Sequence, residues 1–309
     1  IIGGPMYPCS NPELVAAMSE AGALGIVQPL SLTYVHGYDF LEGMQYIRSL
    51  TDKPVGFNAL IEKSSRKYEQ RMSNWIDIAL DQGVLFFITS LGKPDWVVKR
   101  VHAYGGLVYH DVTERKWAEI GVDCGADGLI CVNNRAGGHC GTLSAQQLFD
   151  DCQSLQKPMV SAGGISDHQG LSEMLEIGYQ ACQLGTRFIA TEECKVSDSY
   201  KQAIVDASDK DITLTEKMTG VPVSIIKPAS KDEQEFKAHG ILAWMLKSRR
   251  FKHITRLFLS IKSIMNLKSV INPGADKSDY WQAGKSVAGI NKVLTVKQII
   301  QLLMNNPQN

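Results

Sequence analysis

The stretch Leu129-Ile130-Cys131-Val132-Asn133-Asn134-Arg135-Ala136-Gly137-Gly138-His139-Cys140-Gly141 decides how the rest of the chain is read. Its first four residues are a short apolar run of the kind that builds a strand buried on both faces of a parallel sheet. The run breaks into a loop with three glycines around His139. Glycine lets backbone N–H groups come close to a ligand where a Cβ would collide. A histidine on such a loop, at the carboxyl end of a barrel strand, stands where α/β enzymes keep their acids and bases. The same residues also read as a tight turn carrying a hydrogen-bonded surface histidine.

On either side of this stretch, apolar strand candidates alternate with helical patterns. Ile1-Ile2 leads into a glycine turn, and Asn11-Pro12-Glu13 reads as a cap with proline at the first helical position. Further strands are read at Leu24–Val27, Pro54–Leu60, Val84–Thr89 and Leu107–Asp111. Beyond the opening stretch they continue at Lys157–Ser161 and Ala181–Leu184. Helices are read between them, over 43–50, 68–82, 95–103, 115–124, 144–155 and 167–177. Eight βα units of about 25 residues point to an α/β fold, a (β/α)8 TIM barrel. A doubly wound open sheet is the alternative, but it needs a reversal of strand order that nothing in the sequence signals.

The alternation stops after Glu193. Three regions are expected: a barrel over 1–210, a mostly helical insertion over 211–283 covering the barrel mouth, and a segment over 284–309 that closes back on the barrel. The insertion reads as a turn at Thr219-Gly220-Val221-Pro222 followed by a long helical stretch from Lys231 to Leu267. Between Glu235 and Asp276 it has no acidic residue and eight Lys/Arg, which reads as a solvated helix face or as a surface for an anionic partner. Thr295 and Gln298 are spaced as a capping box for a last helix.

Composition narrows the class. The 309 residues are 44% hydrophobic and 21% charged, which suits one large globular domain with an insertion. Lys+Arg and Asp+Glu are 32 each, so no basic excess points to nucleic acid. No apolar run approaches the ~18 residues of a membrane span. The seven cysteines are odd in number and lack a C-x-x-C pair, which favours reduced thiols in a cytoplasm. Cys124, Cys131, His139 and Cys140 match no zinc spacing, so no metal is expected.

Two more loops read as phosphate cradles: Ser161-Ala162-Gly163-Gly164-Ile165-Ser166 after the seventh strand and Gln183-Leu184-Gly185-Thr186-Arg187-Phe188 after the eighth. In barrels these two loops, with a helix N-terminus, form the usual phosphate site. His110 and Asp111, ending the fifth strand, are read as facing the mouth and as the second choice for acid–base work.

These loops, together with Gly3-Gly4-Pro5-Met6 and Gly56-Phe57-Asn58, resemble the FMN-dependent nitronate monooxygenases (formerly 2-nitropropane dioxygenases) and the related flavin-dependent enoyl-acyl-carrier-protein reductases. The resemblance runs through nearly the whole chain. It implies an FMN phosphate on the backbone of Gly163, Gly164, Gly185 and Thr186, with Gln183 in the same motif. It implies Asn58 holding the flavin, Gly4-Pro5-Met6 packing along the ring, and Gly137 and Gly138 passing close to it. His139 falls on the family's catalytic histidine, an imidazole suited to taking the α-proton of a nitroalkane.

Three positions depart from the family pattern: Arg135 in place of a glutamate, Val132 in place of a glutamine, and Ala283-Gly284-Lys285 in place of Gly-Gln. The added cations suit an anionic substrate such as a nitronate, a phosphate of NAD(P)H, or pairing with acids of the insertion. The activity implied is oxidation of alkyl nitronates with molecular oxygen. The alternative is an NAD(P)H-dependent reductase of an enoyl thioester, presented by an acyl carrier protein, or of a quinone. A phosphate-binding barrel without catalysis is a third reading.

Overall fold

In the computed structural model, residues 1–62, 66–216, 221–227 and 281–305 are described. Strand β1 (Ile2–Gly3), helix α1 (Pro12–Glu20), β2 (Gly25–Val27), α2 (Phe40–Leu50), β3 (Val55–Ile61), α3 (Arg66–Asp81), β4 (Phe86–Leu91) and α4 (Asp95–His102) make the first half of the repeat. The second half is β5 (Leu107–Val112), α5 (Arg115–Asp123), β6 (Gly128–Val132), α6 (Ala145–Cys152), β7 (Met159–Ala162), α7 (His168–Ile177), β8 (Ala181–Leu184) and the one-turn α8 (Thr186–Ile189). All neighbouring strands pair in parallel, in the order β1-β8-β7-β6-β5-β4-β3-β2. A bridge from Ile2 to Leu24, with Gly3 N donating to Leu24 O at 2.8 Å, joins the two ends. The sheet is therefore a (β/α)8 barrel, and the open doubly wound alternative is excluded.

Alternation along each strand sets two apolar layers. Inward positions put Ile2, Ile26, Ile88, Ile130 and Val160 together in the barrel lumen, with Phe86 and Tyr109 beside them. Outward positions pack under the helices, as where Phe57 meets Phe87 at 5.4 Å between ring centres and Phe40 edge-on at 5.8 Å. Each such ring stabilises by about 1.5–3 kcal/mol. Helix α2 starts earlier than its hydrophobic spacing suggests, because Asp39 caps it by accepting from Leu41 N and Glu42 N.

The region after the barrel begins differently from the sequence reading. After α9 (Asp198–Asp206) come β9 (Ile212–Thr215) and β10 (Val223–Ile226), an antiparallel pair in the register Val223 to Thr215. Both are rich in β-branched residues, which favour strand over the helix expected there. Ser224 N donates to Gly138 O at 2.8 Å, and Ile226 N donates to Trp281 O at 2.8 Å, so this hairpin links the glycine loop after β6 to the chain's last segment. The long helical stretch and the basic run read over 231–267 and 237–268 lie outside the described residues. A 3-10 turn (Lys285–Gly289) and α10 (Val296–Met304) follow, and α10 carries the expected Thr295–Gln298 capping box. Ile299 and Leu303 of α10 join Leu14 and Met18 of α1 in one core. Among the described residues, no helix is long and apolar enough to cross a membrane.

Candidate active site at the carboxyl end of the barrel

Four loops meet where the strands end. Gly4 N donates to Leu184 O at 2.7 Å, which ties the loop after β1 to the end of β8. Met6, next to half-buried Pro5, lies over Gly185: a Cβ on that glycine would meet the Met6 sulfur at 3.6 Å, ordinary contact distance. Asn133 Nδ2 donates to Gly163 O at 3.0 Å and so joins the loops after β6 and β7. Gly163 and Gly164 have φ of +119° and +81°, left-handed backbone that glycine adopts without strain. A Cβ on Gly137 would lie 2.9 Å from Gly284 N and 3.3 Å from Thr186 Oγ1. Gly137, Gly163, Gly185 and Thr186 thus come together as their sequence motifs suggest. The backbone N–H groups of Gly163, Gly164 and Gly185 donate to no acceptor among the described residues.

Below these loops the lumen turns polar. Asn58, two residues beyond Gly56 on the inward face of β3, is buried and donates weakly to Ile88 O at 3.4 Å. Gln183, two beyond inward Ala181, has an Oε1 sealed from solvent with no hydrogen-bond partner. Asp111, two beyond inward Tyr109, likewise has a sealed and unpartnered Oδ1, and desolvation pushes its carboxyl up to about 7. His110 points the other way. It is buried in the helix layer, shares a 2.9 Å hydrogen bond through Nδ1 with the Thr89 hydroxyl, and fills the space a side chain on Gly121 of α5 would need. Desolvation pushes it down to about 4. The alternation that turns Asp111 inward turns His110 outward, so of this pair only the aspartate faces the mouth.

His139 follows Gly138, whose carbonyl is bound to the hairpin. Its ring is reachable from solvent yet crowded by protein, and desolvation lowers its pKa below the ordinary 6.5. Arg135 is exposed and extends across Gly164, with Nε 2.6 Å from where a Cβ of that glycine would stand. Its backbone is fixed twice, by Arg135 N donating to Asn133 Oδ1 at 2.8 Å and Lys285 N donating to Arg135 O at 2.9 Å. Thr186 Oγ1 accepts from Gly284 N at 3.0 Å. The sequence marked Gly284 and Lys285 only as departures; that they close over the glycine loop depends on contacts between distant parts of the chain. Arg187, in the same motif as Thr186, is buried away from the cradle and donates to Lys292 O.

An FMN fits this arrangement. Unpartnered glycine amides, those of Gly163 and Gly164 at left-handed backbone positions, suit a phosphate dianion. Sealed acceptors on Gln183 and Asp111 suit a polar ring with an N–H to donate. Among the described residues, no three His, Cys, Asp or Glu side chains converge to hold a metal.

The buried acid has a measurable consequence for the cofactor-free protein. Asp111 keeps its proton in the folded state up to about pH 7 but in the unfolded chain only to its ordinary 3.8. Its contribution to stability is therefore present at low pH and is lost as pH rises through about 7. Asp111→Asn, which cannot ionise, is expected to raise the Tm of cofactor-free protein at pH 8 and leave it little changed at pH 4. Thermal melts across that range check this, and parallel curves for the two proteins would contradict it.

The chain is similar to known proteins along most of its length. The family model described as nitronate monooxygenase matches residues 1–306. A nitronate monooxygenase of Pseudomonas aeruginosa is 27% identical over 265 residues, covering 71% of this chain and 74% of the relative. A (3aS,4S,5R,7aS)-5-hydroxy-7a-methyl-1-oxo-octahydro-1H-indene-4-carboxyl-CoA dehydrogenase of Rhodococcus jostii is 27% identical over 249 residues, covering 80% of this chain and 68% of the relative. The solved structure of FabK from Thermotoga maritima superposes with a TM-score of 0.78 at 25% identity, covering 98% of this chain and 90% of that one. With the barrel, the glycine cradle and a family match from end to end, the chain belongs to the nitronate monooxygenase family of flavin-dependent oxidoreductases.

Proposed function

We propose that the chain is an FMN-dependent enzyme that oxidises alkyl nitronates and nitroalkanes with molecular oxygen. The observation that carries this reading is a reachable histidine with a lowered pKa on the loop beside unpartnered glycine amides. The amides of Gly163, Gly164, Gly185 and Thr186 would hold the FMN phosphate. Gly4, Pro5 and Met6 would flank the ring, Gly137 and Gly138 would pass close to it, and Asn58 and Gln183 would meet its polar edge. When bound, the flavin accepts the substrate's electrons and passes them to oxygen.

The chain's own part is acid–base. Desolvation lowers the His139 pKa and so favours the neutral imidazole, which takes the α-proton of a nitroalkane while the C–H electrons move onto the nitro group. A nitronate arrives with that proton already gone. Anaerobic mixing with ethylnitronate, watching the flavin band near roughly 450 nm, tests the reading. Bleaching by nitronate supports it, and bleaching by NADH or NADPH alone supports a reductase.

The second reading, a flavin enzyme acting on a thioester, is favoured by the relative that acts on a carboxyl-CoA and by the cations Arg135 and Lys285 at the site's edge. In both readings the cofactor released by heat should chromatograph as FMN. The cradle ends the ligand at one phosphate, and the chain has no G-x-G-x-x-G turn for a dinucleotide. Recovery of FAD would overturn this.

A further inference from the structure

The eight barrel strands carry a single carboxyl, Asp111 near the end of β5, and no lysine, arginine or glutamate. Asp111 is the next inward residue after Tyr109. Tyr109 stands in register with Ile88 of β4, and Ile88 with Asn58 of β3. The carboxyl therefore enters the lumen one inward step beyond the row of Asn58, toward the carboxyl ends of the strands. Its own register partner on β6 is Ile130, an apolar residue of the lumen.

These surroundings offer a carboxylate no compensation. Oδ1 is sealed without a hydrogen-bond partner, and no ion pair among the described residues includes Asp111. The other titratable groups on the strands are Tyr109, His110, Cys131 and Cys182. Burial keeps the Tyr109 hydroxyl protonated, one inward step below the acid. His110 faces the helix layer and is neutral there. Cys131 and Cys182 are buried thiols, the first pushed up by its contact with Cys152 and by burial, the second by burial. Arg135, His139 and Lys285 stand on the loops at the mouth, and none of them pairs with Asp111. An isolated carboxylate in such a place is costly, and the group answers by keeping its proton. The residue is only part-buried, so protons can still exchange with solvent.

We propose that Asp111 is the site's proton reservoir: it binds a proton when the flavin is reduced and releases it when the flavin is reoxidised. This rests on the reading that an FMN occupies the mouth. Where the carboxyl is ionised beside the oxidised cofactor, the arrival of two electrons from the substrate adds negative charge nearby. The carboxylate then takes one proton from water, and the proton returns to water when the electrons leave to oxygen. Only the carboxyl O–H bond forms and breaks in this exchange. A unit charge about 10 Å away, at an effective dielectric constant of about 20, shifts such an equilibrium about tenfold or more.

Potentiometric titration of the flavin-loaded protein from about pH 5 to 9, wild type beside Asp111→Asn, tests the assignment. At the acid end both side chains are neutral, and the two midpoint potentials should differ little. As pH rises through neutrality, the wild-type potential should fall further than the variant's. The expected gap is about tenfold or more in the reduction equilibrium, about 30 mV for two electrons. The infrared difference between reduced and oxidised wild type at about pH 8 should gain a carboxylic-acid carbonyl band, absent from Asp111→Asn. Asp111→Leu, which strands no polar atom, serves where the amide fails to fold and should repeat the result. Flavin content of each protein is read from absorbance after loading with excess FMN. Potentials that run parallel across the range, or a carbonyl band that survives substitution, overturn the proposal and leave the cofactor reading intact. Loss of flavin from both variants also overturns it, since Asp111 would then be a support for the ring. Wild-type protein that takes up no flavin overturns the cofactor reading and this proposal with it.

Discussion

His139→Ala is expected to leave the flavin bound while turnover of a neutral nitroalkane falls about 10²–10⁴-fold, the usual contribution of a positioned general base. The histidine does not belong to the cradle: the unpartnered amides are those of Gly163, Gly164 and Gly185. A preformed nitronate needs no proton removed, so its kcat/KM should fall much less. The split between the two substrates is the informative measurement. Equal losses on both would mean that His139 orients substrate rather than taking a proton. The wild-type pH profile on the nitroalkane carries a second check. Desolvation lowers the imidazole pKa, so the neutral base persists below the ordinary 6.5 and the acidic fall in kcat/KM should lie below that value.

Gly284→Ala is expected to have the second large effect, on stability and flavin retention together. A Cβ at this position would stand 2.5 Å from Gly137 N and 2.6 Å from Arg135 O. Both atoms are backbone, and the loop that holds them is fastened to Asn133, so neither can give way cheaply. The last segment must lift instead. That breaks the bonds from Gly284 N to Thr186 Oγ1 and from Lys285 N to Arg135 O. Overpacking at about 1–3 kcal/mol and two hydrogen bonds at about 1 kcal/mol each give a loss of roughly 3–5 kcal/mol. For a chain of 309 residues, at about 2.1 cal/mol/K of unfolding entropy per residue, the Tm should fall by about 5–8 °C. Flavin should dissociate more readily because Thr186 loses its support. An unchanged melt with full flavin content would show that the segment does not hold the loop.

The barrel was legible because its strands are buried on both faces and separated by glycine turns and amphipathic helices. That pattern fixed β3, β5, β7 and β8 to within a residue or two. The glycine motifs were legible for a similar reason, since Gly163 and Gly164 occupy left-handed backbone that few residues tolerate. Side-chain direction was harder. His110 and Asp111 are adjacent, and only the two-residue period counted from Tyr109 decides which of them enters the lumen. The β9–β10 hairpin escaped notice because Ile212–Thr215 and Val223–Ile226 are short and lie in a region read for helices. Contacts between Gly284 and Gly137, or between Lys285 and Arg135, join residues far apart in the chain, and no local pattern announces them.

The two-residue strand β1 has a consequence for how the molecule is made. Its partners are Leu24 on one side and β8, at Gln183 and Leu184, on the other. While the chain leaves the ribosome, the first contact is available almost at once, but the second waits for more than half the sequence. Until β8 emerges, β1 and β7 are open sheet edges with unpaired N–H and C=O groups, the form most prone to pairing with another chain. Closure of the circle is thus a late event set by the longest strand-to-strand separation in the fold, and such pairings are intrinsically slow. The period of greatest exposure to aggregation ends only when Gly4 finds Leu184, the same hydrogen bond that brings the first and last loops of the site together.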